Sequence, residues 1–269
     1  MQKESLPLLG MGTYGMGGRM ERDEMNVAES LASLELGLSL GLRLIDTAEV
    51  YGAGLCEELV GKAIARVPRE QVYIVSKVWR EHLRYDDVLR AAEGSLRRLG
   101  TDYLDLYLVH WPSEQVPMEE TMRAMEHLLD EGIVRAIGVS NFSVVQMREA
   151  QKCLTRDPLA ASQFEFSLAH QGAAAEMLPY CTTNDILPIA YRPFARWELP
   201  TAHGDEITRL AQKYGKTPNQ VILNWILSQG IVAIPKTLSS EHMRENAGAL
   251  GWSLSAEDIA SLQGQEFDN

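Results

Sequence analysis

The chain has 269 residues, of which 45% are hydrophobic, so it is long and apolar enough to bury a large core. Acidic residues outnumber basic ones by 37 to 25, and the formal net charge of −12 comes without any run of Lys or Arg. We therefore expect neither nucleic acid nor a membrane surface as a partner. The cysteines have no C-x-x-C spacing and the N-terminus has no signal-peptide pattern, which together predict a cytoplasmic protein.

Eight short apolar runs divide the chain, and their starts lie 25 to 45 residues apart. The runs span residues 8–13, 43–47, 72–77, 104–110, 134–141, 161–166, 186–192 and 231–236. Continuous apolar runs are typical of buried parallel strands, and each gap is long enough for a crossover helix. The spacing predicts one (β/α)8 barrel domain over residues 1–269, with an open doubly wound sheet as the alternative, since periodicity does not reveal closure.

Amphipathic segments between the runs predict helices. In residues 86–99 the apolar side chains share one helical face, and Asp86 is the predicted N-cap. Residues 217–220 read Thr-Pro-Asn-Gln, a cap, a first-turn proline and a capping-box glutamine. They predict a helix that starts at this point, and a last short helix is predicted within 252–263.

Two segments match sequence motifs of nucleotide-binding enzymes that have other folds. Residues 10–15 satisfy G-x-G-x-x-G, but residues 16–19, Met-Gly-Gly-Arg, prolong the loop where a Rossmann fold needs a helix. Tyr73 and Lys77 have Y-x-x-x-K spacing, yet on a strand they would lie about 13 Å apart. Neither motif predicts a dinucleotide-binding Rossmann domain.

Asp46, Lys77 and His110 lie at the ends of the second, third and fourth runs, and Tyr51 lies in the loop after the second. In a barrel these ends meet at the carboxyl face, where barrel enzymes place their active sites. A lysine in so apolar a run needs a carboxylate partner, for which Asp46 is well placed. The ammonium would lower the pKa of Tyr51 and make it a general acid, while His110 holds a substrate carbonyl oxygen. The predicted chemistry is carbonyl reduction.

Each of these residues also has a structural interpretation. Lys77 and Asp46 would then form a structural ion pair, Tyr51 would be a loop residue, and His110 would be a core histidine. The histidines and cysteines have no metal-ligand spacing, so no metal site is predicted.

The whole chain resembles the aldo-keto reductase superfamily, in a prokaryotic type with a short C-terminal loop. The motifs that carry the resemblance are DTAEVYG at 46–52, VSKVW at 75–79, LDLYLVHWP at 104–112, GIVRAIGVSNF at 132–142, SQFEFSL at 162–168, IAYRP at 189–193 and IPKTLSSEHMREN at 234–246. They follow in the family order at family-like spacing. Only six residues follow Gln263, too few for the loop that covers the substrate pocket in many members, so we expect an open pocket.

The resemblance implies an NAD(P)H-dependent oxidoreductase in which Tyr51 is the proton donor, supported by Lys77, Asp46 and His110. It also implies the residues that hold the cofactor, from its nicotinamide end to its phosphates. These are Thr13, Asp46, Ser140, Asn141, Gln163, Tyr191, Arg192, Lys236, Thr237, His242, Arg244 and Asn246. Among them Ser140, Asn141 and Gln163 would bind the carboxamide, Tyr191 would stack on the nicotinamide ring, and Lys236 with Thr237 would hold the phosphates of the adenosine half.

Two cofactor positions depart from the family pattern. His242 stands where an arginine usually clamps the 2′-phosphate, so NADPH is the expected cofactor with NADH as a possibility. Arg192 stands where a serine is common, and either the pyrophosphate or solvent is compatible with it.

The substrate side is predicted from aromatic residues. Tyr14, Trp79 and Trp111, with His110, match positions that line the pocket and suit aldehydes, α-dicarbonyls and small ketones. Further contacts are expected from loops 112–118 and 193–204.

Two other functions stay open at the level of the sequence. One is a cofactor-binding regulatory subunit with weak catalysis. The other is a barrel lyase or isomerase that uses Lys77 as a Schiff base. The sequence leaves the oligomeric state open, and a monomer is compatible with it.

Overall fold

A computed structural model describes residues 7–172, 174–195 and 201–263. Its eight strands form one parallel sheet in which each strand pairs with the next along the chain. The strands are β1 Gly10–Gly12, β2 Leu44–Asp46, β3 Tyr73–Val78, β4 Leu106–Val109, β5 Ile137–Ser140, β6 Ala161–Glu165, β7 Leu187–Tyr191 and β8 Val232–Ala233. A parallel bridge between Leu9 and Ala233 joins the last strand to the first. The predicted single-domain (β/α)8 barrel is therefore confirmed, and the open-sheet alternative is wrong.

Helices surround the barrel and connect successive strands. They are α1 Val27–Ser39, α2 Leu55–Ile64, α3 Tyr85–Leu99, α4 Met118–Asp130, α5 Val144–Cys153, α6 Ala174–Thr183, α7 Thr201–Tyr214, α8 Pro218–Ser228, α9 Ser240–Ala247 and α10 Ala256–Gln263. Both α7 and α8 lie between β7 and β8, which explains the longest of the predicted gaps. Within the described ranges the helices are too short or too polar to cross a membrane.

The two predicted helix starts have different outcomes. At α8 the Thr217 hydroxyl accepts from the Gln220 backbone N–H at 3.3 Å, and the Gln220 side chain accepts from the Thr217 N–H at 3.1 Å. At α3 the residue before the helix is Arg84, without a side-chain cap. The assignment of Asp86 as N-cap is therefore wrong, because Asp86 lies inside the first turn, where its carboxylate still favours the positive end of the helix dipole.

Side-chain alternation along the strands decides which residues face the barrel axis. Leu44, Val75, Leu108 and Ala161 belong to the apolar cluster inside the barrel. The residues two positions after them point the same way. These later residues are Asp46, Lys77, His110 and Gln163. The sequence pattern thus delivers four polar side chains to one end of the barrel.

A cluster of stacked and paired side chains lies at the opposite, amino-terminal end of the barrel. The guanidinium groups of Arg69 and Arg135 lie 3.9 and 3.6 Å from the Tyr103 ring centroid. Asp105 accepts from Arg69 Nη2 at 2.6 Å. None of the predicted site residues lies in this cluster, so we assign it to stability.

We expect Thr217→Ala to destabilise the protein, because it leaves the Gln220 backbone N–H in the first turn of α8 without its side-chain acceptor. A lost N-cap costs about 1 kcal/mol, which lowers the melting temperature of a chain of this size by roughly 2–4 °C. Thr217→Ser keeps the hydroxyl and serves as the control. Equal melting temperatures for the alanine and serine variants would contradict the role of the cap.

Candidate active site

A buried ion pair lies at the carboxyl end of the barrel. Lys77 Nζ is 2.6 Å from Asp46 Oδ1, and both side chains are buried. The ammonium also donates to the Thr47 carbonyl at 2.8 Å. Because a lone buried ammonium would be very costly, these two acceptors are what allow Lys77 to lie at the barrel axis.

Tyr51 places its hydroxyl between Lys77 and His110. Its oxygen lies 3.4 Å from Lys77 Nζ and 3.5 Å from His110 Nε2. The predicted tetrad of Asp46, Lys77, Tyr51 and His110 is therefore brought together by residues from three strands and one loop.

A tight turn fixes the position of Tyr51. Tyr51 begins a single 3-10 turn, and Gly52 follows it with φ of 55°. The Gly52 N–H donates to the Arg19 carbonyl at 2.8 Å, and a Cβ on Gly52 would lie 2.2 Å from the Gly17 oxygen. Only glycine fits such a close approach, so the backbone of the glycine-rich loop packs directly against the turn that carries Tyr51.

Asn26 holds that glycine-rich loop in shape. Its amide donates to the Gly15 carbonyl at 2.9 Å and accepts from the Gly17 N–H at 2.9 Å. Tyr14, in the same loop, lies edge-on to Tyr51 with ring centroids 5.1 Å apart. The loop therefore supplies one aromatic wall of the site.

The pKa of the Tyr51 phenol is raised well above its usual value, mainly by burial and further by the charge of Asp46. The sequence predicted a lowered pKa, and that direction is wrong. The main reason is burial of the phenol, which disfavours its charged form; the charge of Asp46, held 2.6 Å from Lys77 Nζ, acts in the same direction. Tyr51 consequently holds its proton throughout the neutral pH range.

His110 is an uncharged imidazole. Burial lowers its pKa to about 2, and the charge of Lys77 acts in the same direction. Its Nε2 faces Tyr51, while its Nδ1 is buried and has no hydrogen-bond partner in the part of the chain that the structure describes. The Trp79 ring lies edge-on to the imidazole with centroids 5.2 Å apart.

Amide side chains from β5 and β6 adjoin the tetrad. Gln163 Nε2 donates to Asp46 Oδ2 at 2.7 Å. Asn141 Nδ2 donates to the His110 carbonyl and to Ser140 Oγ, both at 3.0 Å. The two amides and the hydroxyl offer donors and acceptors together, which is the donor set that a carboxamide requires.

Asn141 has a left-handed backbone, with φ of 62°. Tyr191 fixes it by donating its hydroxyl to Asn141 Oδ1 at 2.8 Å. A non-glycine residue in this conformation is costly and occurs often at binding sites. Tyr191 is half-buried at the end of β7, so the rest of its surface remains accessible from the mouth of the barrel.

Thr13 and Cys56 lie beneath the site. The Thr13 hydroxyl donates to the Asp46 carbonyl at 2.8 Å, and the Cys56 thiol donates to the Thr13 carbonyl at 3.4 Å. Both residues are fully buried. Burial raises the pKa of Cys56 to about 11, so this thiol serves packing rather than nucleophilic chemistry.

The loop after β8 leads into a capped helix. Ser239 caps α9 by accepting from the His242 N–H at 3.3 Å, and Thr237 Oγ1 accepts from the Ser239 N–H at 3.0 Å. Loss of solvent lowers the pKa of Lys236, and the positive charge of Arg19 adds to this effect. A helix N-terminus with two nearby cations is an arrangement that attracts phosphate.

Three other predicted cofactor residues have contacts of their own. Arg192 Nη1 pairs with Glu165 Oε2 at 3.0 Å, at an exposed position. Arg244 Nη1 donates to the Ser240 carbonyl of its own helix at 3.0 Å. Asn246 is buried. Arg192 thus forms an exposed ion pair with Glu165. This contact does not decide between the cofactor pyrophosphate and solvent, the two alternatives that the sequence left open.

Among the predicted substrate residues, Tyr14 and Trp111 are exposed, and Trp79 is half-buried beside His110. The loop at 112–118 is described, whereas residues 196–200 of the second predicted substrate loop lie outside the described residues. Within the described ranges, no group of His, Cys, Asp or Glu side chains is arranged to hold a metal ion.

Sequence reasoning missed two residues close to the site. Arg19 lies in the glycine-rich loop, near enough to influence Lys236. Glu49 lies between Asp46 and Tyr51, and its carboxylate accepts from the Trp79 backbone N–H at 2.7 Å. The signal for Glu49 was its place inside the DTAEVYG motif, but a side-chain bond to a later strand end has no sequence signature.

Comparisons with known proteins agree with this geometry. The sequence model of the aldo/keto reductase family matches residues 8–266. The chain is 38% identical to methylglyoxal reductase YeaE of Escherichia coli (strain K12), over 96% of this chain and 90% of that protein. It is 37% identical to a glyoxal reductase of Bacillus subtilis (strain 168), over 98% and 90% of the two chains.

Solved structures give the same result. The chain superimposes on the thermostable aldo-keto reductase Tm1743, solved with the inhibitor epalrestat, with a TM-score of 0.92 and 40% identity over 96% of this chain and 94% of that one. An aldo-keto reductase of Klebsiella pneumoniae, solved with NADPH, gives a TM-score of 0.87 and 39% identity over 96% and 90% of the chains.

The chain therefore belongs to the aldo/keto reductase family. It is an oxidoreductase of the class that reduces carbonyl groups with a nicotinamide cofactor. The resemblance found in the sequence is confirmed.

We expect the His110 ring to remain neutral from about pH 4 to pH 8, because its pKa lies near 2. Below about pH 6.5 the unfolded chain, with a histidine pKa of about 6.5, binds the proton that the folded chain excludes. The stability contributed by neutral His110 is therefore complete above about pH 6.5 and is lost progressively as the pH falls toward 2.

The measurement is an NMR titration of the histidine ring nitrogens, with the His110 signals assigned by comparison with His110→Gln. The His110 nitrogen shifts should not move within that pH range. A midpoint near 6.5 in those signals would show that burial does not exclude the proton.

Proposed function

We propose that the protein reduces small aldehydes and α-dicarbonyl compounds to alcohols with NADPH, with Tyr51 as the proton donor. The observation that carries this proposal is the position of the Tyr51 hydroxyl, 3.4 Å from Lys77 Nζ and 3.5 Å from His110 Nε2. The substrate class is supported by the names of the two bacterial relatives, which are reductases of methylglyoxal and of glyoxal.

The chemistry divides between the cofactor and the chain. When bound, the cofactor supplies the hydride that adds to the carbonyl carbon. The chain supplies the proton for the carbonyl oxygen from Tyr51, whose raised pKa keeps the phenol protonated until charge develops on the substrate. Neutral His110 orients the same oxygen through Nε2.

Lys77 and Asp46 support the donor after the proton has left. The phenolate that forms at Tyr51 lies 3.4 Å from the Lys77 ammonium, which stabilises the new negative charge. Asp46 keeps that ammonium in position through its 2.6 Å contact. The pair therefore contributes more to the transition state than to the resting site, which is the condition for catalysis.

The proposed cofactor contacts are assigned from the hydrogen-bonding groups and charges that the chain presents around the mouth of the barrel. Ser140, Asn141 and Gln163 would bind the carboxamide, and the half-buried Tyr191 would stack on the nicotinamide ring. Thr13 and Asp46 lie beneath that position. The phosphates would lie at Lys236 and Thr237, where the capped start of α9 and the charge of Arg19 favour an anion.

NADPH is the proposed cofactor, since structural neighbours were solved with NADP or NADPH. His242 lies in the first turn of α9, beside the Ser239 cap. A neutral imidazole lacks the paired donors of arginine, so we propose that NADH also binds. Arg244, held along its own helix, and buried Asn246 would act by shaping α9.

The Schiff-base alternative has little support from this geometry. The Lys77 amine is surrounded by Asp46, the Thr47 carbonyl and the Tyr51 hydroxyl. A lysine held this way is an ammonium without the lone pair that attack on carbon requires. We also propose a cytoplasmic location, in accord with free cysteines at 56, 153 and 181.

Tyr51→Phe should remove NADPH-dependent reduction of methylglyoxal almost completely, because no other acidic hydroxyl lies between Lys77 and His110 among the described residues. General acid catalysis contributes about 10²- to 10⁴-fold, and kcat should fall by that factor. The assay is the loss of NADPH absorbance, with cofactor binding followed by quenching of tryptophan fluorescence.

The control is Tyr103→Phe, which removes a hydroxyl from the opposite end of the barrel while keeping the ring between Arg69 and Arg135. It should retain full activity. If Tyr51→Phe binds NADPH normally and reduces methylglyoxal at the original rate, Tyr51 is not the donor.

His242→Arg should tighten NADPH selectively, because it supplies a charged fork for the 2′-phosphate that NADH lacks. We expect the Kd for NADPH to fall about tenfold and that for NADH to stay nearly constant. His127→Arg adds the same charge on α4, away from the proposed phosphate site, and is the control. Equal tightening of both cofactors would rule out a role of position 242 in reading the 2′-phosphate.

A further inference from the structure

Glu49 connects the loop that carries Tyr51 to the segment after β3 that carries Trp79, and the proposed mechanism gives it no role. It lies in the loop between Asp46 and Tyr51, and its side chain is only 10% exposed. One carboxylate oxygen, Oε1, accepts from the Trp79 backbone N–H at 2.7 Å and lies 3.0 Å from His82 Nδ1. Burying a carboxylate costs free energy, and the charge-assisted hydrogen bond to a backbone N–H offsets part of that cost while it holds the other segment in place.

The segment that Glu49 holds is the first turn after β3. Trp79 immediately follows the strand that carries Lys77, and a short 3-10 turn at Arg80–His82 comes next. Within this turn the His82 N–H donates to the Trp79 carbonyl at 2.8 Å. Fixing the Trp79 N–H therefore fixes the direction in which the chain leaves the strand.

The Trp79 side chain faces the reacting groups. Its ring lies edge-on to His110 with centroids 5.2 Å apart, and the Arg80 guanidinium lies over the ring, 5.5 Å from its centroid. Trp79 thus stands beside the imidazole that orients the carbonyl oxygen. Its ring is positioned to contact the part of the substrate next to that oxygen.

We propose that Glu49 is a positioning residue that sets the Trp79 wall of the substrate pocket and thereby determines the affinity for carbonyl substrates that carry an aromatic group. This inference rests on the proposed reductase function. Glu49 acts through Trp79 and not on the proton donor, because its carboxylate makes no hydrogen bond or ion pair with Tyr51, Lys77 or His110 among the described residues. Its backbone N–H faces the Lys77 carbonyl at 3.4 Å, a contact that side-chain substitution leaves in place.

The test compares methylglyoxal, which is too small to reach far along an aromatic wall, with 4-nitrobenzaldehyde. Glu49→Met keeps the volume of the side chain but removes the acceptor for the Trp79 N–H. We expect its KM for 4-nitrobenzaldehyde to rise about tenfold, while kcat for methylglyoxal stays within about twofold of the original. Glu49→Gln retains an oxygen acceptor and should restore most of the KM.

The matched control is Glu81→Ala. Glu81 lies in the same turn and is exposed, so this variant removes a carboxylate near Trp79 without removing a bond to it. It should leave both substrates unaffected. A general effect of negative charge near the pocket would instead appear equally in Glu81→Ala and Glu49→Gln, and would overturn the positioning role.

A double-mutant cycle with Trp79→Ala separates positioning from loss of structure. If Glu49 acts through Trp79, Glu49→Met should have no further effect on KM in the Trp79→Ala background. An undiminished effect there, or a parallel loss of kcat for both substrates in Glu49→Met, would contradict the inference. These outcomes remain distinct from failure of the proposed function, in which the original protein would reduce neither carbonyl with NADPH.

Discussion

The site depends on one ion pair, which lies at the axis of an apolar barrel, where burial disfavours charged groups. Lys77 is completely buried, and its ammonium lies 2.6 Å from Asp46 Oδ1. Asp46 must in turn be held, and Gln163 binds its second oxygen at 2.7 Å while Thr13 binds its backbone carbonyl at 2.8 Å. Removing either charge would leave the other uncompensated, so the four strands that carry these residues are tied to a single electrostatic arrangement.

Burial around this ion pair explains the state of the neighbouring groups. It raises the pKa of Tyr51, with a further contribution from the charge of Asp46, and it lowers the pKa of His110, with a further contribution from the charge of Lys77. The resting site therefore presents polar but uncharged groups to a carbonyl oxygen. In the proposed mechanism negative charge develops on that oxygen and then on Tyr51, whose oxygen already lies 3.4 Å from the Lys77 ammonium. The preorganised field would thereby favour the transition state over the substrate.

The fold and the tetrad were predictable because they depend on strand period and strand order. Apolar runs located the strands, and alternation carried Asp46, Lys77 and His110 to the same end of the barrel. The direction of the Tyr51 pKa was not predictable in this way, because it depends mainly on how deeply the phenol is buried and then on the nearby charge of Asp46. The same limit explains the mistaken cap at Asp86, where the helix begins one residue earlier, and the missed bond from Glu49 to Trp79. Such features are decided by ångström-scale geometry in loops, where no hydrophobic period constrains the sequence.

In the proposed phosphate site, the groups that would attract phosphate differ from the group that would select NADPH over NADH. The capped start of α9, Lys236 and the nearby charge of Arg19 attract any phosphate, because backbone donors and cations do not distinguish one nucleotide from another. Selection of a 2′-phosphate needs an additional donor in a defined direction. Arg244, which follows the axis of its own helix toward Ser240, is turned toward backbone rather than away from the helix. In the proposed cofactor arrangement, the choice between the two nicotinamide cofactors would therefore depend mainly on position 242, a single residue in the first turn of α9.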